Sequence, residues 1–183
     1  MKRNISLFLI FLASIASVYA LVYFMKMESF TFSWALNFLL MMWVSVFIEV
    51  QKSTLQSPYF NQKSWERRGK IYTYFGVDVF RKILVLVGWE KLIRKSNPIE
   101  KNTQALINLH HQTKKSELGH LLIFLIVLAF NIYVALRFGV FKSVWLLVLN
   151  ILLNFYPVIL QRYNRPRIER AIQLSKRTSV ACN

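Results

Sequence analysis

Four long apolar runs leave this chain few folds to choose from. Residues 4–25, 29–48, 118–136 and 143–160 contain no Asp, Glu, Lys or Arg. At about 1.5 Å per residue, each run makes a helix able to cross roughly 30 Å of hydrocarbon. Inside lipid, backbone N–H and C=O groups have no water to turn to, so only helices and closed barrels can span. Runs of this length in a chain with only 5 glycines and 4 prolines specify helices. The expected fold is an all-α integral membrane protein, a single membrane domain over residues 1–183 with four transmembrane helices.

Charge narrows the reading further. The chain holds 24 Lys and Arg against 8 Asp and Glu, a formal net charge of +16. Such an excess fits nucleic acid or an anionic surface. Because the charges lie almost wholly in segments flanking the apolar runs, a membrane surface is expected and nucleic acid is not. Cys182, the single cysteine, rules out a disulfide framework within the chain, and its place beside the terminus makes it a poor nucleophile. Val18-Tyr19-Ala20 would serve as a signal-peptide cleavage site, but the apolar run continues past it to Phe24, so a retained first helix is expected.

Lys26-Met27-Glu28 forms a tight link between the first two spans, and Arg137 to Lys142 links the last two. Between the pairs lies a basic loop, residues 50–116, with thirteen Lys and Arg, and after them a tail, residues 161–183, with six. Adding Lys2 and Arg3, one side carries twenty-one cations and the other only Lys26, Arg137 and Lys142. The positive-inside rule then places the loop, the tail and both termini in the cytoplasm. Within the loop, Phe60, Trp65, Tyr72, Tyr74 and Phe75 interleave with Lys63, Arg67, Arg68 and Lys70, the mixture that settles at lipid headgroups. From Val77 to Ile93, apolar Val77, Phe80, Leu84 and Val87 follow helical spacing among Asp78, Arg81, Lys82, Glu90 and Lys91. Its uncharged core, Ile83 to Trp89, is too short to span, so an interfacial amphipathic helix is expected, ended at Ser96-Asn97-Pro98. Glu100 to Lys115 should be a helix leading into the third span, and Ile168 to Asn183 a short surface helix.

Polar residues gather where the last two spans meet the cytoplasm. Glu117 and His120, three apart and so on one helical face, open the third span, and Gln161-Arg162-Tyr163-Asn164-Arg165-Pro166-Arg167 closes the fourth. A short outer turn makes these helices antiparallel neighbours, which sets the two groups at one level. His120 and Glu117 either cap the helix at the headgroups or form a reactive pair, with His120 as general base and Glu117 orienting it. The arginines suit a diphosphate or an acidic carrier. Glu-x-x-His is also a metal-binding spacing, but a di-iron site needs two such motifs and more carboxylates, so no metal is expected. Asn131 and Asn150 are placed to bond across the hairpin, and Pro157 withholds the N–H that would meet the Leu153 carbonyl.

Thr113-Lys-Lys-Ser-Glu117-Leu-Gly-His120, a hydrophobic hairpin, Asn154-Phe-Tyr-Pro157 and Gln161-Arg-Tyr-Asn-Arg-Pro-Arg167 together resemble the glycosyl-4,4'-diaponeurosporenoate acyltransferase family. Phe60 with Trp65-Glu66-Arg-Arg-Gly69-Lys-Ile-Tyr72 resembles it as well, so that the likeness runs from about Phe60 to Ile168. The resemblance implies a small protein of a bacterial cell membrane that transfers a fatty acyl group to the sugar of a carotenoid glycosyl ester, in the making of staphyloxanthin-type pigments. It points to Glu117 and His120, and to Trp65, Glu66, Gly69, Gln161, Arg162, Asn164, Arg165 and Arg167, the last eight expected to bind substrate. His120 is followed by Leu121 rather than an aromatic residue, and Phe80-Arg81-Lys82 departs from the family's pattern, which leaves other glycolipid acceptors open. No bound cofactor is expected; an acyl-CoA, acyl carrier protein or lipid would be co-substrate, and membrane lipids the partners. The rival readings are a metal-dependent membrane lipid hydrolase and a non-catalytic lipid-binding protein.

Overall fold

Ser29 starts the second apolar helix: its hydroxyl accepts from the Phe32 N–H at 3.1 Å, an N-cap that satisfies one of the donors left over at a helix start. Caps and spacing of this kind divide the chain, in the computed structural model, into α1 (Lys2–Phe24), α2 (Phe30–Gln51), α3 (Ile71–Tyr74), α4 (Val77–Leu86), α5 (Thr103–Phe138), α6 (Val144–Asn150) and α7 (Tyr156–Ala181). The structure describes residues 2–51, 55–88 and 103–181. Among them no strand occurs, and four helical stretches are long and apolar enough to cross a membrane: Lys2–Phe24, Phe30–Gln51, Thr103–Phe138 and Val140–Arg177. The end of the expected amphipathic helix with Trp89, Glu90, Lys91 and Ile93, the turn at Ser96-Asn97-Pro98, Glu100, and Cys182 lie outside the described residues.

Contacts divide the chain into two compact units. The apolar unit comprises residues 1–54 and 118–158. Phe32, Leu36 and Leu40 of α2 recur at helical spacing and pack with Ile123, Val127 and Val134 of α5 and Leu146 of α6. Gly119 lets α5 approach α2 closely, since a Cβ there would lie 3.4 Å from Ile48 Cδ1. The unit is apolar outside as well: Phe8, Leu9 and Phe11 of α1 and Leu125, Ile132 and Leu136 of α5 are all exposed. In water such a surface would drive association; against lipid it is ordinary. Asn131 donates to the Ser143 carbonyl at 2.8 Å and Asn150 to the Phe124 carbonyl at 3.0 Å, so both asparagines bond across the hairpin, to backbone and not to each other.

Between α6 and α7 the helix widens to π register at Ile151–Phe155, and the Tyr156 N–H bonds to the Ile151 carbonyl five residues back. Pro157 follows, with no N–H of its own to close an α turn on Leu153. The N–H that Pro157 withholds from Leu153 thus falls at a π segment.

The polar unit comprises residues 55–117 and 159–183. Residues 103–117 of α5 and 159–181 of α7 run side by side in opposite directions, tied by Thr103 to Ser175 at 2.7 Å, His110 to Glu169 at 3.0 Å and Gln161 to Ser116 at 3.1 Å. The helix expected before the third span and the one expected in the tail are therefore not separate elements. They continue α5 and α7, and Pro166 sits inside α7 without ending it. Against α7 lie α4, whose Asp78 accepts from the Tyr163 hydroxyl at 3.3 Å, and a turn at Ser64–Gly69, with α3 packed on both.

Candidate functional site

Within the polar unit, two carboxylates and two guanidiniums share one buried centre. Arg162 donates through Nε to Glu117 at 2.7 Å, through Nη1 to Glu66 at 2.6 Å, and through Nη2 to the Tyr59 carbonyl at 3.1 Å. Arg165 donates through Nη2 to the other oxygen of Glu117, through Nη1 to the Phe60 carbonyl at 3.1 Å, and through Nε to Thr113 at 3.4 Å. Their planes also lie over aromatic rings, Arg162 at 4.6 Å from the centre of Tyr59 and Arg165 at 5.6 Å from that of Phe60. The spacing in α7 explains the pair: residues three apart share a face, and Tyr163 and Asn164 between them point elsewhere. With Glu117 fully buried, two positive and two negative groups cancel, the condition under which charges survive burial.

Glu66 completes the centre. It accepts from the Tyr72 hydroxyl at 2.6 Å and the Lys63 N–H at 2.8 Å besides Arg162. Burial alone would raise its carboxyl, but the Tyr72 and Lys63 hydrogen bonds and the Arg162 charge outweigh that and hold it below the ordinary carboxylate range. Burial and the neighbouring Glu66 push the Tyr72 hydroxyl the opposite way, above its usual range.

The turn that presents Glu66 is strained. Arg67, Arg68 and Gly69 have φ of 47°, 55° and 83°, three successive residues in the left-handed region. At Gly69 a Cβ would stand 3.0 Å from the Tyr163 carbonyl oxygen, so the turn lies directly on the α7 backbone. Arg67 and Arg68 are left exposed beside Trp65, which is 56% exposed.

The expected site residues thus separate. Glu66, Glu117, Arg162 and Arg165 come together; Gln161 ties α7 to Ser116; Gly69 seats the turn. Arg167 donates to the Tyr163 carbonyl and stacks on the Tyr163 ring at 3.6 Å, while Asn164 is half-buried. Two findings differ from expectation. The guanidiniums of Arg162 and Arg165, expected to grip a substrate anion, are taken by the chain's own carboxylates, whose buried charge they balance. Glu117, expected to orient His120, has its two oxygens on those guanidiniums, which bind a carboxylate more strongly than an imidazole does.

His120 belongs to the apolar unit, and its partner there is Asn154, with Nδ1 3.4 Å from Asn154 Oδ1. Asn154 in turn donates to Asn37 at 2.6 Å and to Asn150 at 2.9 Å, and all three asparagines are fully buried. Asn37 carries no signal beyond being a lone amide in an apolar run, and its role was not read from sequence. Among the described residues no group of three or more His, Cys, Asp and Glu is placed to hold a metal ion.

These features define a class: an all-helical protein with four apolar helices fit for a membrane, and a polar unit held by a buried ionic centre. Within that class, the chain belongs to the glycosyl-4,4'-diaponeurosporenoate acyltransferase family, whose profile matches residues 56–174, more than half of its length. It is accordingly an acyltransferase, of a family of carotenoid biosynthesis. No curated protein and no solved structure matches it.

Proposed function

We propose that the protein transfers a fatty acyl group to a hydroxyl of a membrane-embedded glycolipid, such as the sugar of a carotenoid glycosyl ester, with His120 as general base. Family membership over residues 56–174 is the observation that carries this reading. The hydroxyl oxygen attacks the acyl carbonyl as its proton passes to the imidazole. The new ester C–O bond forms, the bond to the donor breaks, and the departing group takes the proton back. For an acyl-CoA or an acyl carrier protein, the departing group is a thiol.

The positive-inside rule supports cytoplasmic termini and a cytoplasmic site in the bacterial membrane. An interfacial position for α4 is supported by its surface: Val77 and Phe80 are buried in the polar unit, whereas Val79, Ile83 and Leu86 form an exposed apolar stripe beside Arg81 and Lys82. The test of the whole reading is direct. Membranes carrying the protein are given glycosyl-4,4'-diaponeurosporenoate and candidate acyl donors, and lipid masses are followed. The acylated product should form with the wild type and vanish with His120→Ala at equal membrane levels; full turnover by that variant would remove His120 from the mechanism.

A further inference from the structure

The asparagine cluster in the apolar unit does more than glue helices, because its hydrogen-bond directions are fixed from outside. A backbone carbonyl only accepts. Asn37 Nδ2 donates to the Ser33 carbonyl at 2.8 Å and Asn150 Nδ2 to the Phe124 carbonyl at 3.0 Å. Flipping either amide would set oxygen against oxygen, so both are pinned, with each Oδ1 facing Asn154. Asn154 meets those two oxygens with its Nδ2, at 2.6 and 2.9 Å, which engages both of its N–H bonds. Its orientation is therefore decided as well, and what it turns toward His120 Nδ1, at 3.4 Å, is its oxygen. An amide oxygen has no hydrogen to give, so the ring nitrogen facing it must carry one.

We infer that the Asn37–Asn150–Asn154 cluster locks His120 in its Nδ1–H tautomer and leaves Nε2 as the basic nitrogen, with Asn154 as the positioning residue. The π segment carries Asn154 itself. The backbone irregularity thus carries the amide that orients the imidazole. The device serves the reading of His120 as base: a base must present a lone pair, and a ring free to exchange tautomers presents it on the wrong nitrogen part of the time.

The test is nitrogen NMR of the full chain in lipid bilayers at neutral pH, with 15N-labelled histidine. The chain has 3 histidines, and the signals lost in His120→Gln assign the one in question. Expected for the wild type is a protonated, pyrrole-type Nδ1 and an unprotonated, pyridine-type Nε2. An Nε2–H ring, a tautomer mixture or a doubly protonated ring would overturn the inference, and this spectrum needs no destabilised variant. In Asn154→Leu the ring should become a tautomer mixture. Its kcat for acyl transfer from acyl-CoA to glycosyl-4,4'-diaponeurosporenoate should fall by about 10- to 100-fold with KM unchanged, as when an outer partner of a working imidazole is lost. An unchanged tautomer in Asn154→Leu would sink the role given to Asn154. Normal turnover by His120→Ala would instead remove the base assignment and leave the wild-type spectrum standing, so the two failures are distinguishable.

Discussion

Glu117 shows how little a residue's type says about its task. A carboxylate one turn from a histidine, beside an arginine-rich segment, fits a catalytic pair and an ion-pair centre equally well. What decides is that Arg162 and Arg165 each reach it, and that it is fully buried. Removing its charge leaves two buried guanidiniums facing Glu66 alone, an imbalance worth about 3–5 kcal/mol by analogy with other broken buried pairs. Glu117→Gln should therefore lower hydrogen-exchange protection in the polar unit, at residues 104–116 above all, while exchange in the apolar unit stays as it was; unchanged protection would mean the centre contributes nothing. Acid should act on the same unit through Glu66. Its folded carboxyl titrates below the unfolded value of 4.5, so its contribution is complete above that pH and is lost as pH falls through the folded value. Between about pH 5 and 8 this group gives no slope, and a loss of protection already at pH 6 would contradict it.

At the scale of elements, the turn at Ser64–Gly69 and helix α4 carry the sharpest consequences. Gly69 combines a φ of +83° with a Cβ position 3.0 Å from the Tyr163 carbonyl oxygen, and both neighbours of that gap are backbone. Gly69→Ala should cost about 1–3 kcal/mol in the polar unit, read as a lower unfolding temperature in detergent, and a variant as stable as the wild type would show the turn to be free to shift. For α4 the question is depth. A fluorophore on Ile83→Cys, in a Cys182→Ser background, should be quenched by brominated lipids much more than one on Arg81→Cys, since only the first lies on the apolar stripe. Equal quenching would place α4 away from the interface. Neither element was fully legible beforehand. The alternation of apolar and charged residues pointed to the helix, but nothing in Trp-Glu-Arg-Arg-Gly announces three left-handed residues, because arginine has no preference for that region.

For the molecule as a whole, the prediction concerns sidedness. A membrane-impermeant maleimide applied to intact cells should label Val140→Cys, in the turn between the last two spans, and reach Gln112→Cys only after permeabilisation. The reverse pattern would invert the topology. Four helices apolar and long enough to cross a membrane followed from hydropathy, since a backbone in lipid has no alternative to bonding itself. The family followed from short motifs that the profile match then confirmed over residues 56–174.

The seven residues from Gln161 to Arg167 mark the limit of such reading. Sequence placed them at the end of a span and counted their charge, which is a matter of composition and order. It could not say whether those guanidiniums face a substrate or the protein's own acids, because that depends on Glu66, nearly a hundred positions away, being brought to within 2.6 Å of Arg162. In the same way, the direction of a hydrogen bond to His120 is absent from its neighbours in the chain. It is decided where Asn37 meets Asn150 and Asn154, more than a hundred positions further along, and where two backbone carbonyls leave each amide a single way to turn.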